Sequence, residues 1–195
     1  MHKALKILII SSIFYNFSVG LLTPIFAIFV QHIGGGILEA SRAWFLYTIL
    51  IGVSIVTFGQ IEDRISKRKM FLIGRILFTL GAAGYIFVEN IEHLYFVQII
   101  LAISLAIIDP AFTALFSKSL RKGKESTEWS IWEGAIYIVI ALGAIVGGVI
   151  ASVYGFKALF VVMTISAALS TLTAAMMIRK NMWKALIARF NHIKF

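Results

Sequence analysis

Six apolar runs, each about as long as a bilayer-crossing helix needs (~20 residues), dominate the chain and are separated by short charged stretches. They lie near Leu5–Val30, Ala43–Ile61, Met70–Val88, Leu94–Ser117, Ile131–Val153 and Lys157–Ile178. Such a succession cannot fold around one water-facing surface. Hydrophobic residues make up 60% of the chain, well above the 45–50% of soluble domains, and the mean hydropathy is +0.94. The expected class is an all-α integral membrane protein with six transmembrane helices (residues 1–178) and a short tail (residues 179–195).

The charges set the threading. Lys3 and Lys6, then Arg64, Lys67, Arg68 and Lys69, then Lys118, Arg121, Lys122 and Lys124, then the tail, all fall on one side of the predicted crossings. Only Arg42 and Lys157 fall on the other. Lys and Arg accumulate on the cytoplasmic side, so both termini are expected there. The net charge of +9 then suits anionic lipid of the inner leaflet. No stretch carries the interleaved aromatics of a nucleic-acid binder. The start MHKALKILII resembles a signal peptide, but its apolar run continues to Val30, which predicts a retained first helix. In the tail, Met182, Trp183, Leu186, Ile187 and Phe190 recur at helical spacing among Lys184, Arg189 and Lys194, predicting a basic amphipathic helix along the membrane.

Enzymatic chemistry finds no support. There is no Cys, and His2, His32, His93 and His192 are far apart, so neither thiol chemistry nor a metal site is expected, and no cofactor. No nucleophile is paired with a base. Gly34-Gly35-Gly36 has no following Lys-Ser/Thr and reads as a turn. A faint internal repeat lays GQIEDRISKRKMF over GVIASVYGFKALF, with Gly59 on Gly148 and Phe71 on Phe160. Three helices followed by three similar ones of inverted orientation is a transporter's construction.

Within the predicted second-to-third loop, Gly59, Asp63, Arg64, Lys67 and Arg68 resemble the loop motif Gly-x-Leu-x-Asp-Arg-x-Gly-Arg-Lys of the major facilitator superfamily. Ile61 stands for the leucine, and Ser66 replaces the second glycine. The fifth segment, with Gly134, Gly143, Gly147 and Gly148, is similar to the glycine-rich motif of drug–proton antiporters, in a degraded form. Gly143, Gly147 and Ala151 form a small-residue ridge for close helix approach. The resemblance implies six helices as a 3+3 inverted repeat, half of a twelve-helix fold. The function it implies is secondary active transport of a small solute by alternating access, with proton-coupled efflux as one form. A second six-helix half or a homodimer would complete it, in a multi-pass bacterial or archaeal-type cell membrane. The alternative is a non-transporting remnant or scaffold subunit.

Candidate residues follow. The Gly59–Lys69 motif suits a gate: Asp63 accepts hydrogen bonds from a helix N-terminus, and Lys67 and Arg68 pair with Glu125 or Glu128. Asp109 is a carboxylate inside a predicted span, costly there and commonly functional, and Pro110 loosens the helix beside it. It is a candidate proton carrier, with a static pair to Arg75 as the alternative. Glu133 is a second candidate, at headgroup depth beside Trp129 and Trp132. Tyr15, Asn16, Gln98 and Tyr137 are candidates for the solute path; the fourth helix lacks the arginine of many proton-coupled members, and Gln98 is its nearest polar residue.

Overall fold

A computed structural model describes the backbone of residues 3–191 and the side chains of residues 5–178. Every regular element among them is helical. Helix α1 (Lys3–Leu22) passes through a 3₁₀ turn (Thr23–Ile25) into α2 (Phe26–His32). Pro24 causes the break, because it has no N–H to donate to Gly20 and its ring crowds that carbonyl. Gly34 then adopts φ 87°, a left-handed conformation natural to glycine, and turns the chain into α3 (Ile37–Arg64). The Glu39 carboxylate caps α3 by accepting from the Gly36 N–H at 2.8 Å. Helix α4 (Lys67–Gly84) follows after only Ile65 and Ser66 and ends in a 3₁₀ turn (Tyr85–Phe87). Asn90 opens α5 (Ile91–Ser117), its side chain accepting from the His93 N–H at 2.9 Å. The final element is α6 (Glu125–Asn191).

Five helices are long and apolar enough to cross a membrane: Leu5–His32, Ile37–Arg64, Lys67–Phe87, Ile91–Ser117 and Glu125–Ile178. The last is 54 residues long, far beyond the ~20 that one crossing uses. Gly155, at φ 81° and ψ 171°, divides α6 into two arms. Contacts along α1 show how the arms run. Ser11 meets Ser170, Phe14 meets Ser166 and Ser18 meets Met163, so the second arm is antiparallel to α1. Phe17 lies against Gly143 and Leu21 against Gly147, so the first arm is parallel to it. α6 is therefore a helical hairpin with α1 in its groove. At these angles only glycine is at home, and a residue with a Cβ would hold the turn at a cost of about 1–3 kcal/mol; Gly155→Ala should lower unfolding stability by that amount, measurable by thermal melting in detergent.

Two aromatic clusters close the ends of the bundle. Phe29, Tyr85 and Phe160 join α2, the turn after α4, and the second arm, with ring centroids 4.8–5.8 Å apart. Phe112, Phe116, Trp129 and Trp132 join α5 to the first arm. Trp132 is buried against Phe112 and Phe116. By contrast, Ala43 and Glu62 are the only buried residues of α3. Its Phe45, Val53 and Val56 are exposed, as are Tyr137, Ile138 and Ile145 on the first arm of α6. The tail's amphipathic face, residues 179–195, lies outside the described side chains.

Candidate functional site

The charged motif is mostly helical. Gly59, Asp63 and Arg64 occupy the last turns of α3, and Lys67 and Arg68 the first turn of α4, so the loop proper is two residues. Lys67 Nζ lies 3.5 Å from Asp63 Oδ1 and donates to the Glu62 carbonyl oxygen at 3.1 Å. This staples the turn from outside, in a partly exposed pair of little energetic weight. Glu128 is held by Arg121, through its side chain and through its backbone N–H at 2.8 Å. The pairs expected between Lys67 or Arg68 and Glu125 or Glu128 are therefore not formed in this arrangement. Glu62, which the motif reading passed over, is 2% exposed, and its Oε1 has no hydrogen-bond partner among the described residues.

A second group surrounds Arg75. This side chain is 1% exposed, with its guanidinium carbon 4.0 Å from the Tyr15 ring centroid and 4.7 Å from that of Phe71. Nη2 donates to Ser12 Oγ at 2.9 Å. Nε and Nη1 have no acceptor among the described residues. Desolvated cation–π contacts of this kind are worth about 2 kcal/mol, which explains how a cation persists here without an ion pair. Asp109, the partner considered for it, is exposed on α5 and forms no salt bridge among the described residues. Next to Arg75 runs a row of hydroxyls. Thr171 and Thr79 both donate to the Arg75 carbonyl, at 2.8 and 3.0 Å. Ser11 and Ser170 exchange hydrogen bonds with each other's carbonyls at 2.8 and 2.7 Å. Ser18 donates to the Met163 carbonyl and Ser166 to that of Phe14. The row stitches α1 and α4 to the second arm of α6 while leaving few polar groups unpaired.

The glycines divide by face. A Cβ on Gly143 would stand 2.8 Å from the Phe17 carbonyl oxygen, and one on Gly147 would overlap that of Leu21. Gly20 of α1, not singled out from the sequence, meets Ile140 in the same seam. Gly134 and Gly148 have nothing within 4 Å of a Cβ, so they take no part in it. Gly59 is equally open.

The path candidates do not converge. Tyr15 is buried under Arg75, and its ring centroid is 4.4 Å from that of Phe78. Asn16 donates to the Ser12 carbonyl of its own helix at 2.8 Å and bridges to no other. Tyr137 and Glu133 lie on the exposed face of the first arm. Gln98 is 4% exposed and borders a chamber of about 100 Å³, open on one side, that is lined from α1 to α5 and by Met163 of the second arm of α6. A wider cavity of about 630 Å³ opens where Leu5 and Ile9 of α1 face Trp132 of α6, with Arg121 and Glu128 on its wall. Among the described residues no group of three or more His, Asp or Glu could hold a metal ion.

A family model described as Major Facilitator Superfamily matches residues 8–184. The chain is 25% identical over 184 residues to Multidrug resistance protein 2 of Bacillus subtilis, covering 93% of this chain and 45% of that protein. It is 25% identical over 132 residues to the Tetracenomycin C resistance and export protein of Streptomyces glaucescens, covering 68% of this chain and 24% of that one. Among solved structures, the POT family transporter PepTSo superposes with a TM-score of 0.73 at 15% identity, over 90% of this chain and 37% of that one. The chain thus spans less than half the length of these relatives.

Proposed function

The chain belongs to the Major Facilitator Superfamily, and on that footing we propose that it moves a small organic solute across a membrane as one half of an alternating-access transporter. The observation that carries this reading is the family match over residues 8–184. Relatives named for drug resistance and export favour outward movement of the solute. In this reading α6 crosses the membrane twice with Gly155 at the outer turn, which makes six crossings in a 3+3 repeat. The Lys and Arg bias then places both termini in the cytoplasm.

The second half, or a second copy of the chain, covers the exposed apolar faces of α3 and of the first arm of α6. The Asp63 region engages that half in one state and releases it in the other. Differential contact of this kind is what a two-state switch requires. Asp109 and Glu133, exposed carboxylates on α5 and α6, are the candidates for carrying a proton.

The test is dye or drug flux in vesicles carrying the chain with its complementing half or as a homodimer, driven by an imposed pH gradient. Gradient-dependent flux is expected. Asp63→Asn should insert normally and reduce flux on the order of tenfold, the scale of a typical coupling between states. Equal flux in that variant removes the gate. No flux in any assembly favours the scaffold alternative.

A further inference from the structure

We propose that the wide cavity beside the start of α1 holds one acyl chain of an anionic phospholipid, with the phosphate set against the lysines of the loop before α6. The cavity measures about 630 Å³ and is open on one side. Leu5 and Ile9 of α1, Phe116 of α5, and Ile131 and Trp132 of α6 supply hydrocarbon and ring surface. Its polar lining is confined to Ser119, Arg121 and Glu128, where α5 ends and α6 begins. A small soluble anion would leave the apolar walls uncovered. A lipid covers both kinds of surface at once.

Size fits one chain. Benzene, with its six carbons, occupies an engineered cavity of roughly 150 Å³. In the same proportion the cavity takes about 25 carbons, enough for one acyl chain of a phospholipid and not for both.

Charge selects the headgroup. From Lys118 to Glu128 the chain carries four bases and two acids, and Glu128 is taken up by Arg121. Lys118, Lys122 and Lys124 are exposed and form no salt bridge among the described residues. Lys6, next to Leu5, is exposed as well. A phosphate at the rim meets this uncompensated charge, and basic pockets between membrane helices bind anionic headgroups in this way. The rival occupant is the tail, because the second arm of α6 runs antiparallel to α1 and returns the chain towards its first turns. Met182, Trp183 and Leu186 match the apolar walls, but Arg179, Lys180, Lys184 and Arg189 bring like charge to a basic rim. That repulsion favours the lipid.

Quenching of Trp132 by brominated lipid in nanodiscs tests the site. The chain has four Trp, so replacing Trp44, Trp129 and Trp183 by Phe leaves Trp132 as the reporter. Phosphatidylglycerol brominated on one acyl chain should quench it at a mole fraction about tenfold lower than phosphatidylcholine brominated alike. Lys122→Gln combined with Lys124→Gln should cut that preference by about fivefold or more, the scale of one surface Lys. Ala135 is exposed on the cavity wall. Ala135→Phe therefore fills the cavity without overpacking the core, and should abolish the preference at an unchanged melting temperature. Equal quenching by the two lipids overturns the proposal, as does a preference that survives either change. Quenching that appears only once residues 179–195 are removed assigns the cavity to the tail and overturns it too. The readout needs neither a second half nor flux, so the lipid site and the transport reading fail separately.

Discussion

Gly147→Ala is expected to cost about 3 kcal/mol of folding stability, the upper end of the range for overpacking a tight interior. The reason is that the added methyl meets backbone and not a side chain. At Gly147 the obstacle is the Leu21 carbonyl, and at the neighbouring Gly143 it is Phe17. No rotamer change relieves either, so α1 and the first arm must separate, and the loss of contact extends along the seam. Gly148→Ala is the matched control. Its methyl enters open space, and replacing a helical glycine by alanine there removes a propensity penalty of up to about 1 kcal/mol. Unfolding of both variants in mixed micelles should therefore shift in opposite directions. Equal behaviour would mean that the two helices do not approach closely in the membrane.

Arg75→Met should separate stability from function. Placing Arg in the middle of a membrane helix costs about 2.5–3.5 kcal/mol on insertion scales. Against this stand the stacking on Tyr15 and Phe71, worth about 2 kcal/mol, and one charge-assisted hydrogen bond to Ser12, worth about 1.5–3 kcal/mol. Nε and Nη1, which have no acceptor among the described residues, add about 1–3 kcal/mol to the cost; the terms then nearly cancel, and Met restores apolar contact in a similar volume. Replacing buried charge by packed apolar groups is often neutral or stabilising, so the melting temperature should hold or rise. Flux in the assembled transporter should nevertheless fall by at least about tenfold, because a charge kept at no stability gain is usually kept for function. Arg75→Lys tests the same point differently: it retains the charge but loses the planar stack, and its flux should also fall. Flux falling only in proportion to lost folded protein would make Arg75 structural.

The apolar runs fall on long helices, but the helices continue past the ends of those runs. Helix α3 runs from Ile37 to Arg64, past both ends of the apolar run Ala43–Ile61. Glu39, Glu62 and Arg64 are good helix formers outside a lipid core, and the backbone hydrogen bonds continue through them. Membership of the superfamily was legible because the Gly59–Arg68 spacing is local in sequence. The direction a side chain faces was much less so. Asp109 stood out as a carboxylate in a span, yet it is exposed and Arg75 is buried elsewhere. Gln98 was identified, but Tyr85 and Tyr47 come to the same chamber from other helices. No spacing along one helix reports that. Gly143 and Gly147 showed a ridge at four-residue intervals, while the surface it fits, around Gly20 of α1, is a property of two helices together.

The hydroxyl stitching between Ser11 and Ser170 spans a sequence separation of 159 residues. A ribosome adding about 5–20 residues per second needs roughly 8–30 s to make the second serine after the first. Throughout that interval the second arm of α6 does not yet exist, and Ser11 and Ser18 must be sheltered in some other way. Assembly of the bundle is consequently limited by completion of the last helix and not by the insertion of the first. A slowed or stalled ribosome would leave α1 as a substrate for membrane chaperones and proteases.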